Sequence, residues 1–327
     1  MQEKSLIGVI ILNWNNWKDT VEAVQSVKAS TYDKLRLYVV DNASTDDSCR
    51  KLLEFDPALR VIQSGANRGW AGGNNVGIRA ALADGCDHVF LLNADATVLP
   101  DTFERLAEAV STTENAAAFG TLVRSASNPS WLEFAGSSID PKNGHPRQLS
   151  VPSSSITFEG PVQETIAVKG CSLLMTGEGL RRLGLLHEDY FLNYDETDWC
   201  FAARNAGMKI CLVSTTSVLH QGAVSMAGAS SPIYRYFITR NRLLFARRNL
   251  DSAGYKFAWR CALWELKSGL FLQQDAGGRS FRQRLWIVSS VLLAIRDYML
   301  GRFGDCPAAI RAMTSKYKAS LAKTARA

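Results

Sequence analysis

Through the first 125 residues, short apolar runs alternate with polar turns and with segments of helical spacing. Residues 6–12, 35–40, 60–63 and 89–92 are β-rich runs of strand length, and the longest are apolar at successive positions. Such runs mark strands buried on both faces of a parallel sheet. Between them, Val21, Val24 and Val27 share one helix face, and a short helix runs from the turn 42–46 to about Glu54. Another helix starts inside the glycine-rich stretch 67–77 and continues through Ala83. This strand–helix alternation predicts an α/β fold with a doubly wound, mainly parallel sheet. Further on, 100–110 reads as a helix, 116–123 as a strand and 166–175 as a central strand. A helix at 197–206, closed by Gly207, is followed by a strand at 208–213.

Elsewhere the pattern loosens. Residues 124–164 carry turn signals such as Asn128-Pro129 and 140–144, which predict hairpins and loops, with His145 in an exposed loop. From Pro232 onward the chain reads as helices rich in Trp, Leu and Arg. The expected division is therefore a sheet domain at 1–231 and a helical extension at 232–327.

Composition changes the picture only in the extension. The 327 residues are 46% hydrophobic and 21% charged, ordinary for a soluble protein. The net charge of +6 conceals an asymmetry: 18 Lys and Arg against 5 acids from Pro232 on, but 19 against 26 before it. Such a basic part suits a polyanion, an anionic membrane or a phosphate-bearing substrate. Residues 285–295 are apolar but too few to span a bilayer. Trp259, Trp264 and Trp286 beside basic residues suit a helix lying on anionic lipid, or equally packing against the core or another subunit. The seven cysteines are scattered without a Cys-x-x-Cys pair and read as reduced thiols. With no signal peptide visible, the expected location is cytoplasmic.

Candidate chemistry gathers where strands end. In open α/β sheets ligands sit beyond the carboxyl ends of the strands, and Asn13, Asp41, Asn67 and Asn93 all follow strands. A carboxylate at Asp41 can accept from a ribose or base. Asp95, two residues after Asn93, is a hard oxygen ligand suited to Mg²⁺ or Mn²⁺. The plain alternative for 93–97 is a turn with local hydrogen bonds. The stretch 67–77 opens onto a helix N-terminus, an anion site, but its glycines match neither a dinucleotide fingerprint nor a P-loop. Asp195, Glu196 and Asp198 begin a helix, where acids also serve as simple capping. Tyr236, Arg240 and Arg247 share a helix face, and Arg forks suit phosphate.

Taken in order, Asn13-Trp14-Asn15, Asp41-Asn42-Ala43-Ser44-Thr45-Asp46, Asn67-x-Gly69-Trp70-Ala71-Gly72-Gly73-Asn74-Asn75-x-Gly77 and Asn93-Ala94-Asp95 resemble the inverting family 2 glycosyltransferases of GT-A fold. The bacterial rhamnosyltransferase-like members are most similar, and the resemblance covers roughly residues 6–250. It implies that Asn13, Trp14, Asn15, Asp41, Asn67, Gly69, Gly73, Asn75 and Asn93 hold a nucleotide-sugar, with Asp41 at the base. It implies that Asn93-x-Asp95 replaces the usual Asp-x-Asp, leaving Asp95 as the metal carboxylate. The family's acidic pair falls on Asp195-Glu196, with Glu196 chosen as general base and Asp195 as the alternative. His220 matches a His-x-Gly loop over the diphosphate and metal, a loop that would act as a lid through Ser231. Arg240 is assigned to the phosphates.

The implied reaction is single displacement with inversion, by Mg²⁺ or Mn²⁺ chemistry, from a nucleotide-diphosphate sugar to a glycan or lipid-linked hydroxyl. Deoxythymidine-diphosphate rhamnose is the first donor choice and uridine-diphosphate sugars the next. The remaining expected partners are an anionic membrane surface and a second copy through the C-terminal helices, but not nucleic acid. One rival class is a nucleotidyltransferase, which needs a Gly/Lys/Arg phosphate loop where this chain has 13–16. The other is a nucleic-acid binder, which leaves Asp41, Asp95 and Glu196 without a role.

Overall fold

The computed structural model describes residues 4–222, 231–271 and 280–324, which fall into two compact units. The first unit takes the described residues up to Ile139, then Pro146–Glu188 and Asp195–Gly222. The second takes Asp140–His145, Asp189–Tyr194 and the described residues from 231 on.

In the first unit, β1 (Ile7–Asn13), α1 (Trp17–Lys28), β2 (Leu35–Asp41), α2 (Ser48–Phe55), β3 (Val61–Gln63), α3 (Gly69–Ala83) and β4 (His88–Asn93) alternate as expected. Strands β3, β2, β1 and β4 lie side by side and parallel. The pleat sends alternate residues of β1 to opposite faces. Ile7, Val9 and Ile11 pack with Val24 and Val27 of α1, whereas Ile10 packs with Ile78 and Ala81 of α3. Helices on both faces make the sheet doubly wound.

Beyond β4 come β5 (Ala96–Val98), α4 (Thr102–Thr112), β6 (Ala116–Ser125), β7 (Trp131–Phe134), β8 (Ser137–Ile139), β9 (Pro146–Gln148), β10 (Val151–Pro152) and β11 (Val162–Glu164). They are followed by β12 (Ser172–Thr176), α5 (Gly177–Leu183), α6 (Asp195–Asn205) and β13 (Lys209–His220). Strand β12 is central, but it runs antiparallel to both β4 and β6. It is also shorter than the apolar run 166–175 predicted. Strand β13 outruns its predicted end at 213 because a register shift between Val213 and Ser217 carries the polar stretch 214–217 without ending the ladder.

In the second unit, α7 (Pro232–Asn249), α8 (Ser252–Phe271), α9 (Phe281–Met299) and α10 (Ala308–Thr324) form a helical bundle. Ser231 caps α7 through its side chain, with Pro232 in the first turn, and Ser280 with Gln283 makes a capping box on α9. Phe191 stacks on Phe237 at 5.4 Å between ring centres. Arg242 pairs with the buried Glu265 at 2.9 Å. His145 is buried here rather than exposed: its Nε2 lies 3.2 Å from Gly254 O and its ring meets Phe257. Trp259 packs edge-on to Tyr255 and Tyr298, while Trp264 is 64% exposed. Among the described residues, no helix is long and apolar enough to cross a membrane.

Candidate active site

Strand register assembles the first part of the site. Asn13 ends β1 directly beside Asp41 at the end of β2, and Leu12 lies beside Asn93 at the end of β4. Asn13 is fully buried, donates to Asp41 Oδ1 at 2.8 Å and accepts from Thr20 Oγ1. Ser44 gives Asp41 a backbone N–H and its hydroxyl. Asn15 accepts from Thr45 N at 2.7 Å and has φ +53°, a left-handed conformation that Asn tolerates. The result is a preorganised polar ledge on which Trp14 stands 41% exposed.

The glycine-rich stretch serves the ledge differently from its motif reading. Gly69, at φ +71°, starts α3 and donates to Asn67 Oδ1. Asn42 Nδ2 bridges Asn67 Oδ1 and Gly69 O. Gly73 serves packing: a Cβ would lie 2.5 Å from Leu12 Cδ1, so the glycine lets α3 approach β1. Asn75 likewise serves the fold. It is buried, and its amide is taken up by Leu186 N and O and by Glu188. Trp70, next to Gly69, donates to Asn93 Oδ1 at 2.9 Å, linking the α3 start to the end of β4.

A second cluster adjoins Asn93. Asp95 sits in the turn between β4 and β5, and its carbonyl accepts from Gln221 N at the end of β13. His220 Nε2 is 3.5 Å from Asp95 Oδ1, while His220 Nδ1 is 2.9 Å from Glu133 Oε2. Lys169 Nζ reaches the same Glu133 oxygen at 3.2 Å. Sequence reading missed Glu133 and Lys169, because each meets His220 or Glu133 only through the fold. Burial raises the Asp95 carboxyl above its usual range, which His220 partly offsets. Burial also opposes charge on Glu133, but His220 and Lys169 outweigh it and hold this carboxyl low. The thiol of Cys171, pushed up to about 12 by burial, feels the charges of Lys169, Asp95, Glu133 and Glu196 together. Lys169, Glu133, His220 and Asp95 are thus joined in one row of contacts.

Among the described residues, no group of three or more His, Cys, Asp or Glu side chains is arranged to hold a metal ion. Two donors are present instead. A separation of 3.5 Å is too long for a hydrogen bond but matches two ligands on one cation, which stand roughly 3–3.5 Å apart at bond lengths near 2.1 Å. A hard divalent cation binding through few protein groups, completed by phosphate oxygens and water, fits this set.

The acidic pair opens α6. Asp195 is 2% exposed and its Oδ2 has no hydrogen-bond partner among the described residues, while Glu196 is the more accessible of the two. Burial, then the neighbouring Glu196 charge, raises the Asp195 carboxyl well above the ordinary range. A raised carboxyl binds its proton more tightly when folded, so it takes stability away as pH climbs from the ordinary carboxylate range through the raised value. Asp195→Asn is thus expected to flatten the loss of stability between acid and neutral pH, as read by melting curves. An unchanged pH slope would remove the buried charge as its cause.

Arg240 is not available to phosphate. It is fully buried in the second unit and donates to Gly304 O at 2.7 Å, Asp189 O and Tyr190 O, with Nε on Asn241. Asn241 donates to Tyr190 O, Leu192 O and Asn193 O. The two side chains tie down a segment in which Phe191, Asn193 and Tyr194 all have φ above +60°. Most of the expected lid, residues 223–230, lies outside the described residues. An open depression of about 1250 Å³, lined by Lys34, Arg36, His88 and Arg181, contains none of the predicted site residues.

Comparison with known proteins agrees with this architecture. The family model "Glycosyl transferase family 2" matches residues 8–176, just over half of the chain. The dTDP-rhamnosyl transferase RfbF of Shigella flexneri is 24% identical over 218 residues, 64% of this chain and 70% of that protein. GalNAc-T7, solved with UDP, GalNAc and Mn²⁺, superposes with a TM-score of 0.59 at 15% identity, covering 82% of this chain and 58% of that one. The mannosyltransferase PcManGT from Pyrobaculum calidifontis, solved with GDP-Man and Mn²⁺, gives 0.53 at 16% identity over 98% and 81%. With its GT-A fold and this family match, the chain belongs to glycosyl transferase family 2 and is a glycosyltransferase.

Proposed function

We propose that the protein transfers a sugar, by single displacement with inversion, from a nucleotide-diphosphate donor to an acceptor hydroxyl. One observation supports this reading: the polar ledge of Asn13 and Asp41 lies beside Asn93 at the end of β4, next to the turn whose Asp95 faces His220. Asp41, Asn13, Asn15 and Asn67 hold the nucleoside, with Trp14 free to cover the base. Asp95 and His220 hold a Mg²⁺ or Mn²⁺ ion, which when bound neutralises charge growing on the leaving diphosphate. Glu196 takes the acceptor proton as the hydroxyl attacks, with the buried Asp195 beside it as the alternative base.

The Shigella relative makes deoxythymidine-diphosphate rhamnose the first donor to test, with uridine-diphosphate sugars next. A glycan or lipid-linked acceptor suits the basic helices. Lys256, Arg260 and Lys267 lie exposed on α8 around Leu263 and Trp264, a composition that would rest on an anionic cytoplasmic membrane face. The nucleotidyltransferase reading gains nothing, since the loop after β1 spends its Asn side chains on Asp41 and on the 44–46 turn.

A thermal-shift screen of nucleoside diphosphates and their sugars, each with Mn²⁺ or Mg²⁺, tests the donor. A ligand at 100 times its dissociation constant stabilises by about 2.7 kcal/mol. A shift is expected for one nucleotide family only when metal is present, and no shift with any of them would contradict the reading.

A further inference from the structure

We propose that Glu133 is a positioning residue that sets the ring of His220 toward the metal, with Lys169 holding Glu133 in place. The inference rests on the reading of Asp95 and His220 as metal ligands. Alternation along β7 buries Leu132 and Phe134 and leaves Glu133 on the open face. From there its Oε2 meets both His220 Nδ1 and Lys169 Nζ.

An imidazole that gives its Nδ1 proton to a carboxylate presents a lone pair at Nε2. That nitrogen is the one facing Asp95. A histidine ligand is commonly fixed this way, with an outer carboxylate choosing its tautomer and ring angle and making it more basic. Glu133 has no other charged neighbours to serve than His220 and Lys169 among the salt bridges of the described residues. Lys169 lies two residues before Cys171, whose carbonyl receives Asn93 N. The lysine thus fixes Glu133 from the loop that leads into β12, the strand paired with β4.

The test is Mn²⁺ affinity measured by electron paramagnetic resonance, in the presence of deoxythymidine or uridine diphosphate, for wild type, Asp95→Ala, Glu133→Gln and Glu133→Ala. Melting curves without metal are recorded for each. Loss of an outer carboxylate weakens metal binding about 10–100-fold, so Glu133→Ala should fall in that range. Glu133→Gln, which can still accept from Nδ1, should fall less. Should Glu133→Ala melt lower yet bind Mn²⁺ as tightly as wild type, Glu133 only joins two strands and the proposal fails while the metal reading stands. Should wild type and Asp95→Ala bind Mn²⁺ equally, the metal reading fails and takes this proposal with it.

Discussion

Glu196→Gln is expected to fold and to bind donor like wild type while losing about 10²–10⁴-fold in kcat, the usual contribution of a positioned base. The change removes one proton acceptor and keeps the shape of the side chain. Asp195 cannot readily replace it, because it is buried and its carboxyl is held high by that burial and by the Glu196 charge. Donor KM should therefore stay within a few-fold as turnover collapses, which separates loss of the base from loss of binding. Steady-state kinetics with the donor found by thermal shift measure both. If Glu196→Gln kept a near-normal rate and Asp195→Asn were dead, the two acids would exchange roles.

Arg240→Ala is expected to destabilise the protein by roughly 3–5 kcal/mol, because Gly304, Asp189 and Tyr190 carbonyls would lose a buried charged donor together. The left-handed residues Phe191, Asn193 and Tyr194 stay in place only while their surroundings hold them. Arg240→Lys should recover little, since an ammonium cannot reproduce the guanidinium fork that serves three carbonyls at once. Denaturant or thermal unfolding gives the figure. A variant that melts like wild type but shows a raised donor KM would return Arg240 to the phosphates.

The contrast between these two residues shows what was legible in the chain. The strands carrying Asn13, Asp41 and Asn93 could be read because buried parallel strands are apolar throughout, so the first polar residue after each marks the rim. The helices of the extension were legible from Pro232 and from their richness in Trp, Leu and Arg. Arg240 was misassigned because helical spacing gives the face of a residue and not what lies opposite, here backbone carbonyls with no sequence signature. The packing of Asn75 and Gly73 was hidden for a related reason: a motif gives residue types, while a contact to Leu186 or Leu12 is made by the fold. The direction of β12 was hidden because an apolar run reads the same in either sense. Glu133 and Lys169 were invisible because their partner is separated from them by a loop region of weak pattern. His145 was placed in a loop correctly, but burial of that loop against Phe245 and Phe257 is a tertiary fact.

The most direct measurement is calorimetric titration of deoxythymidine and uridine diphosphates into wild type, Asp41→Ala and Asp95→Ala, with Mn²⁺ and then with EDTA. If one rim holds base and diphosphate together, wild type binds one of them at least about tenfold tighter with Mn²⁺. Asp95→Ala should lose that metal-dependent gain, and Asp41→Ala should bind weakly under both conditions. Equal wild-type affinity in Mn²⁺ and in EDTA, with neither variant weakened, would contradict a shared site.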